Sequence, residues 1–232
     1  MQTALLSTTY FGPVQWYQKL HRHDRVLIEQ HEAFQKQTYR NRCLIATAQG
    51  VQALTVPVVH EPLATREGEH TDGADIRSVR ISDHGNWRHQ HWQALASAYG
   101  DSPFFEYYED DIRPFFAERN WELLLDFNDD ICQTICRLAD IHPHMGRTHA
   151  YAGPQPQEAG HPRQRPHGAG GDDGLPVVRD YREAIRPKHP AVDPEFTPRE
   201  YYQVFAQKNG FLPNMSILDL LFNMGPESIF YL

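Results

Sequence analysis

The chain has 232 residues, 40% of them hydrophobic, and carries 22 Lys and Arg residues against 30 Asp and Glu residues. This length suits one domain with a sizeable core. The formal charge of −8 argues against a nucleic-acid-binding protein, which needs Lys and Arg to neutralise phosphates. No apolar run approaches the roughly 20 residues of a membrane-spanning helix. The N-terminus lacks the basic and apolar regions of a secretory signal, so we expect a cytoplasmic protein.

The first thirty residues predict an α/β fold. They contain a strand, a helix and a second strand, at residues 4–10, 14–23 and 25–29, and Gly12 and Pro13 separate the first strand from the helix. Three such elements in so short a stretch indicate a βαβ unit, whose two strands run parallel with a right-handed crossover.

The next segment predicts a hairpin. Two β-rich runs, at residues 43–47 and 52–58, flank a short loop that contains Gly50, as expected of antiparallel strands. The hairpin would make the sheet mixed, because the strands of the βαβ unit are parallel. A further strand is predicted at residues 76–81, after an exposed loop at residues 62–75.

Helical patterns dominate the middle of the chain and return near its end. The predicted helices lie at residues 87–99, at 104–140 with a break before Pro114, at 199–208, and at 216–224. Asn86 and Ser216 are the expected N-caps of two of them, and residues 229–232 are a candidate closing strand. The predicted fold is therefore an α/β mixed sheet that is packed with helices and closed by a C-terminal helix and strand.

Residues 144–178 differ in composition from the rest of the chain. They are rich in Gly, Pro, Gln and His, and such a stretch buries too little apolar area to offset its ordering entropy. We interpret it as a mobile insertion in a single domain that spans residues 1–232. The more specific alternative is that this stretch forms a lid over a functional site.

The densest polar cluster of the sequence directly follows the second predicted strand. Ligands of open α/β sheets bind outside the carboxyl ends of the strands, which is where this segment begins. His31 is a candidate general acid or base at neutral pH. Glu29 and Glu32 are the candidate partners that hold its tautomer, and the three residues form the predicted catalytic group.

The same cluster supplies candidate substrate-binding residues. They are Gln35, Lys36, Tyr39, Arg40, Asn41 and Arg42. The three cations offer the positive charge that a phosphate or carboxylate needs, and guanidinium groups add bidentate geometry. The alternative is a solvated connection between strand and hairpin whose charges are simply exposed.

Aromatic residues at two predicted helix starts extend the candidate binding site. Tyr10 precedes the first helix and Trp16 lies in its first turn, where the free N–H groups suit an anion. Trp87 and His91 lie in the first turns of a later helix that follows another strand. The alternative for each of these side chains is a place in the hydrophobic core.

The 14 histidines raise the question of a metal site. The closely spaced pairs are His21 with His23, His89 with His91, and His142 with His144. On a helix this spacing places the two side chains on opposite faces. Cys132 and Cys136 share a helical face, but no partner lies at a zinc-site spacing. We predict no metal site, and we interpret all three cysteines, Cys43 included, as reduced thiols.

Several segments together resemble the WbqC-like protein family. They are residues 7–13, 28–32, 35–42, 54–58, 98–99, 102–105, 216–223 and 225–226, with Trp87 and His91. The resemblance spans most of the chain and leaves out residues 62–75 and 144–178. The Glu-Gln-His-Glu sequence after the second strand is similar to the Bacteroidetes-type branch.

The resemblance implies work in bacterial surface-polysaccharide biosynthesis, of the O-antigen kind. We expect a transferase of acyl or aminoacyl type that acts on a sugar nucleotide, a phosphate-containing small molecule, with its cofactor unknown. Lys36, Arg40 and Arg42 would hold phosphate, and His31 would take a proton from the attacking amine or hydroxyl. The alternatives are a non-catalytic protein that binds a nucleotide-linked sugar and a metal-dependent hydrolase.

Overall fold

The computed structural model describes residues 2–59, 73–118, 120–153 and 177–232. The strands are β1 (Gln2–Ser7), β2 (Arg25–Glu29), β3 (Arg42–Thr47), β4 (Gly50–Thr55), β5 (Val58–Val59), β6 (Arg80–Ile81), β7 (Met145–Arg147) and β8 (Val177–Asp180). The α-helices are α1 (Val14–Arg22), α2 (Trp87–Tyr99), α3 (Phe105–Ile112), α4 (Pro114–Ala117), α5 (Leu124–Leu138), α6 (Ala206–Asn209) and α7 (Ile217–Met224). Residues Ile76–Ser78 and Gly225–Tyr231 form 3-10 helices. The predicted α/β class is confirmed.

The predicted βαβ unit begins the central sheet. Strands β1 and β2 are parallel neighbours, with Ser7 opposite Glu29, and α1 connects them. Strand β1 is buried from Thr3 to Leu6, as expected of a strand in a parallel sheet that is covered on both faces. Strands β8 and β7 extend the sheet in parallel on either side, in the order β7, β2, β1, β8.

Two details of the predicted sheet differ in the structure: the place of the hairpin and the form of the chain end. Strands β3 and β4 form the hairpin, but they make a separate two-stranded sheet, so the central sheet is parallel rather than mixed. The hairpin packs on α2 and α7 instead. The prediction of a closing strand at residues 229–232 is wrong, because residues Gly225–Tyr231 form a 3-10 helix. Pro226 lies at the start of that helix, where its fixed φ and missing N–H are favourable.

Two other predicted elements are shorter than expected. The strand predicted at residues 76–81 is a 3-10 turn followed by the two-residue β6. The helix predicted at residues 199–208 is only the short α6. Of the two expected N-caps, Ser216 accepts a hydrogen bond from the Leu218 N–H, whereas Asn86 is left-handed and makes no capping bond with its side chain.

Both ends of the stretch interpreted as a mobile insertion form strands. Strands β7 and β8 are the two edges of the central sheet, so residues 145–147 and 177–178 belong to the sheet. Residues 154–176, and residues 62–72 of the other predicted loop, lie outside the described residues. The single domain with an insertion stays a prediction.

One hydrophobic core connects the elements. It includes Leu6 of β1, Leu20 of α1, Ile45 of β3, Phe127 of α5 and Leu221 of α7, each at most 1% exposed. This core packs against the central sheet and holds its strands in place. Among the described residues, no helix has the length and apolar character needed to cross a membrane.

Candidate functional site

The carboxyl ends of all four parallel strands meet at one edge of the sheet. Ser7 ends β1, Glu29 ends β2, Thr148 follows β7 and Asp180 ends β8. Polar side chains from these strand ends and the loops after them form a connected group, which we call the carboxyl-edge cluster. Its members are Ser7, Glu29, His31, Glu32, Arg40, Thr148, Asp180 and Arg182.

Glu29 is fully buried and accepts hydrogen bonds at both carboxylate oxygens. Its Oε1 lies 2.7 Å from the backbone N of His31 and 2.8 Å from Thr148 Oγ1. Its Oε2 lies 2.7 Å from the backbone N of Ala152. A buried carboxylate needs such donors to offset its lost hydration, so Glu29 links the loop after β2 to the segment after β7.

Glu32 and Arg40 form a buried ion pair. Arg40 Nε lies 2.8 Å from Glu32 Oε1, and Arg40 Nη2 lies 2.5 Å from Glu32 Oε2. Ser7 Oγ contacts both partners, at 3.1 Å from Oε2 and 3.0 Å from Nη2. The two side chains are each 7% exposed. The charge of Arg40, which the sequence analysis assigned to phosphate binding, is thus paired inside the protein.

Arg182 forms a second clamped guanidinium beside the first. Its Nε lies 2.9 Å from Asp180 Oδ1, and its Nη2 lies 2.6 Å from Asp180 Oδ2 and 2.7 Å from the Ala152 carbonyl. Its Nη1 is 3.7 Å from Glu29 Oε2. Arg182 therefore connects β8 to the same buried carboxylate that holds β2 and β7 together.

Arg40 and Arg182 both line a narrow pocket at this edge. The pocket has about 250 Å³ of empty space, counting the part open to solvent. The other lining residues are Leu6, Ser7, Thr8, Thr9, Trp16, Thr38, Tyr39, Tyr181 and Ile185. The wall thus combines hydroxyl groups, aromatic rings and two guanidinium groups.

Two loops meet beside the pocket. Arg186 Nη2 donates to Gln35 Oε1 over 3.1 Å, and Lys188 Nζ donates to Gln37 Oε1 over 2.8 Å. Lys36 lies between the two glutamines and is exposed. We call Lys36, Arg186 and Lys188 the basic rim. Of its three cations, Arg186 also pairs with Glu183.

His31 is half-buried at the edge of the cluster and does not line the pocket. Its Nε2 lies 3.1 Å from the carbonyl oxygen of Thr148. A carbonyl can only accept, so Nε2 carries the proton in the neutral ring. No described residue hydrogen-bonds Nδ1, which is therefore the nitrogen able to accept a proton.

The structure places three of the predicted binding residues in an aromatic part of the core. Tyr10, Trp87 and His91 are at most 6% exposed. The Tyr10 hydroxyl lies 2.9 Å from His91 Nδ1, and Trp87 Nε1 donates to the Ser82 carbonyl. Burial lowers the pKa of His91 to about 4. None of the three lines the pocket.

The remaining predicted residues divide between the pocket, its rim and the hairpin. Trp16 and Tyr39 line the pocket, and Gln35 lies in a rim loop. Asn41 Nδ2 donates to the Val56 carbonyl over 2.8 Å. Arg42 Nε donates to Thr55 Oγ1 over 3.0 Å, so the last two side chains anchor the β3–β4 hairpin.

Four members of the cluster were not predicted as site residues. Ser7 was predicted as part of the first strand and of the segment that carries the family resemblance, and Thr148, Asp180 and Arg182 follow or end short edge strands that were not predicted. The run Val177-Val178 before Asp180 was the one local sign of a strand. Within the described ranges, no group of three or more His, Cys, Asp or Glu side chains is placed to hold a metal ion.

Comparisons with known proteins identify the family of this chain. The Mycobacterium tuberculosis protein named "Uncharacterized protein Rv1507c" is 27% identical over 214 residues, which are 90% of this chain and 87% of that protein. No solved structure matches the chain. The model of the WbqC-like protein family matches residues 8–164 and 180–231. The chain therefore belongs to the WbqC-like protein family.

Proposed function

We propose that the protein is a cytoplasmic small-group transferase, of acyl or aminoacyl type, that acts on a sugar nucleotide in bacterial surface-polysaccharide biosynthesis. The observation that carries the proposal is the pocket at the carboxyl edge, where two clamped guanidinium groups lie beneath a basic rim. Ligands of open α/β sheets bind at this edge. Membership in the WbqC-like family supports the polysaccharide context.

The basic rim is the proposed phosphate site. Lys36 and Lys188 are exposed, and Lys188 donates to a neutral amide rather than to a carboxylate. Arg186 shares its charge with Glu183. Counting those four charges leaves the rim positive by about two, which suits the phosphates of a nucleotide sugar.

His31 is the proposed general base. Its Nδ1 can accept a proton while Nε2 stays hydrogen-bonded to the Thr148 carbonyl. The Glu29 carboxylate accepts from the His31 backbone N–H and so fixes the backbone from which the ring projects. In this proposal His31 takes a proton from the attacking amine or hydroxyl of the acceptor.

We expect His31→Ala to abolish transfer and to leave the melting temperature within about 2 °C of the unchanged protein, because the half-buried ring makes a single hydrogen bond to the described part of the chain. The acceptor and donor would first be identified by mass spectrometry of small molecules that co-purify with the native protein. Transfer is then measured by the mass of the product. His89→Ala, a change of an exposed histidine on α2, is the matched control.

A large fall in the melting temperature of His31→Ala would make His31 a structural residue. A non-catalytic protein that binds a nucleotide-linked sugar is the second candidate. It is favoured by the pairing of every carboxylate in the cluster, since Glu29, Glu32 and Asp180 all accept hydrogen bonds from fixed donors. A co-purified sugar nucleotide that yields no product with any acyl or aminoacyl donor would select it.

A further inference from the structure

We propose that Nη1 of Arg40 and Nη1 of Arg182 form a subsite for the acyl oxygen of the group being transferred. The ligand class is a carbonyl or a single carboxylate, and the phosphate of the substrate stays outside at the basic rim. The role in transfer rests on the proposed function. Binding of a carboxylate to the subsite does not, and it can be tested alone.

Both guanidinium groups are held along the same edge. Nε and Nη2 of Arg40 are taken by Glu32 and Ser7, and Nε and Nη2 of Arg182 are taken by Asp180 and the Ala152 carbonyl. In neither residue does Nη1 have a hydrogen-bond acceptor among the described residues. Both side chains are at most 8% exposed and line one pocket. Two fixed donors without a hydrogen-bond acceptor among the described residues thus remain in a nearly buried wall, and the one of Arg182 lies 3.7 Å from Glu29 Oε2.

The charges around these donors select the ligand. Glu29, Glu32 and Asp180 contribute three negative charges, and the two arginines contribute two positive charges, so the formal sum is −1 when His31 is neutral. A phosphate dianion would add two more negative charges in a region of low dielectric, where repulsion is strong. A carbonyl oxygen adds none, and a carboxylate adds one. The N–H donors therefore favour an acyl oxygen over phosphate.

The pocket is narrow, and its 250 Å³ of empty space includes the part that is open to solvent. Its enclosed part is therefore small, which favours a single oxygen atom at the guanidinium groups over a whole sugar nucleotide. The larger, phosphate-bearing part of the substrate is expected to remain at Lys36 and Lys188.

In the transfer step, the lone pair of the acceptor amine or hydroxyl forms a bond to the acyl carbon of an activated ester or thioester donor. The C=O π pair moves onto the oxygen, where the two Nη1–H groups would stabilise the negative charge. When this pair returns, the bond to the leaving group breaks and the leaving group departs with its electrons. The acceptor proton passes to His31 and then to the leaving group. Donors already fixed by carboxylates need no reorganisation for this role.

The test measures the binding of sodium acetate and of inorganic phosphate to the full chain by NMR titration, at pH 8 and constant ionic strength. Arg182→Lys keeps the positive charge beside Asp180 but removes Nη1. We expect the Kd of acetate to rise at least about tenfold in this variant, which corresponds to about 1.4 kcal/mol, with phosphate binding unchanged. Lys188→Ala is expected to weaken phosphate binding and to leave acetate binding unchanged.

The chain supplies a matched control in Arg77, which is clamped by Asp75 through the same Asp-x-Arg geometry but is exposed. Arg77→Lys should change neither affinity. Phosphate that displaces acetate and is lost in Arg182→Lys would overturn the proposal, as would acetate that fails to bind the unchanged protein. Acetate binding without product formation would refute the transferase and leave the subsite standing. A fall in the melting temperature of Arg182→Lys is checked separately, so that unfolding is not mistaken for lost binding.

Discussion

Replacing Arg40 with methionine should lower the free energy of unfolding by about 3 to 5 kcal/mol, because it leaves the Glu32 carboxylate buried without its cation. Among the described residues, the carboxylate would then retain only the Ser7 hydroxyl, at 3.1 Å. Glu32→Leu should cost a similar amount, since it leaves the guanidinium unpaired in the same place. Urea-induced unfolding, followed by far-UV circular dichroism, measures both free energies.

The double variant Glu32→Leu/Arg40→Met completes a double-mutant cycle, which measures the interaction energy between Glu32 and Arg40. We expect it to cost clearly less than the sum of the two single changes, because removal of both charges leaves neither one uncompensated. Arg77→Met is the control, and it should cost much less than either single change because that ion pair with Asp75 is exposed. Single changes that cost no more than the Arg77 control would show that the Glu32–Arg40 pair is hydrated in solution.

The N-terminal half of the site could be predicted because its signals are local. A strand, a helix and a strand lie within the first 29 residues, and their order alone fixes which edge holds the carboxyl ends of β1 and β2. The polar run after β2 then had to begin at that edge. Both Glu29 and Arg40 are found there, although hydrogen bonds to buried partners, rather than ligand binding, account for most of their polar atoms.

The other half of the site depends on pairing between distant residues. Strand β8 pairs with β1 through contacts such as Leu5 with Asp180, and β7 pairs with β2 through Ile28 and Arg147. Strands of three and four residues have too little alternation to stand out from a Gly-rich and Pro-rich stretch. Arg182 was not predicted for this reason, because it reaches the cluster only through the pairing of β8 with β1.

The aromatic candidates show a different limit of sequence interpretation. Trp87 and His91 are one turn apart on α2, and that spacing describes a face but not what covers it. In the structure, the ring centroids of Trp87 and His91 lie 5.1 Å apart, and Tyr10 stacks on Phe127 with centroids 5.9 Å apart. Tertiary packing therefore makes this face part of the core, with His91 as its titratable member.

His91 should make the stability of the protein depend on pH between about 6.5 and 4. Burial lowers the folded-state pKa of His91 to about 4, whereas an unfolded histidine has a pKa near 6.5. The unfolded state therefore binds the proton more readily, so stability is present above pH 6.5 and is lost as the pH falls towards 4. The shift corresponds to about 3 kcal/mol in full, of which about 2 kcal/mol should be lost between pH 7 and pH 5.

The readout is the pH slope of the free energy of unfolding, compared between the unchanged protein and His91→Asn. The variant cannot titrate, and it offers an amide oxygen in place of Nδ1 for the Tyr10 hydroxyl, so it should lose about 2 kcal/mol less stability between pH 7 and pH 5. Burial also lowers the pKa of His23, but that contribution is common to both proteins and cancels in the comparison. His89→Asn, a change of an exposed histidine on the same helix, should keep the full slope. Equal slopes for His91→Asn and the unchanged protein would mean that His91 is solvated in the folded state and that the aromatic core is open to water.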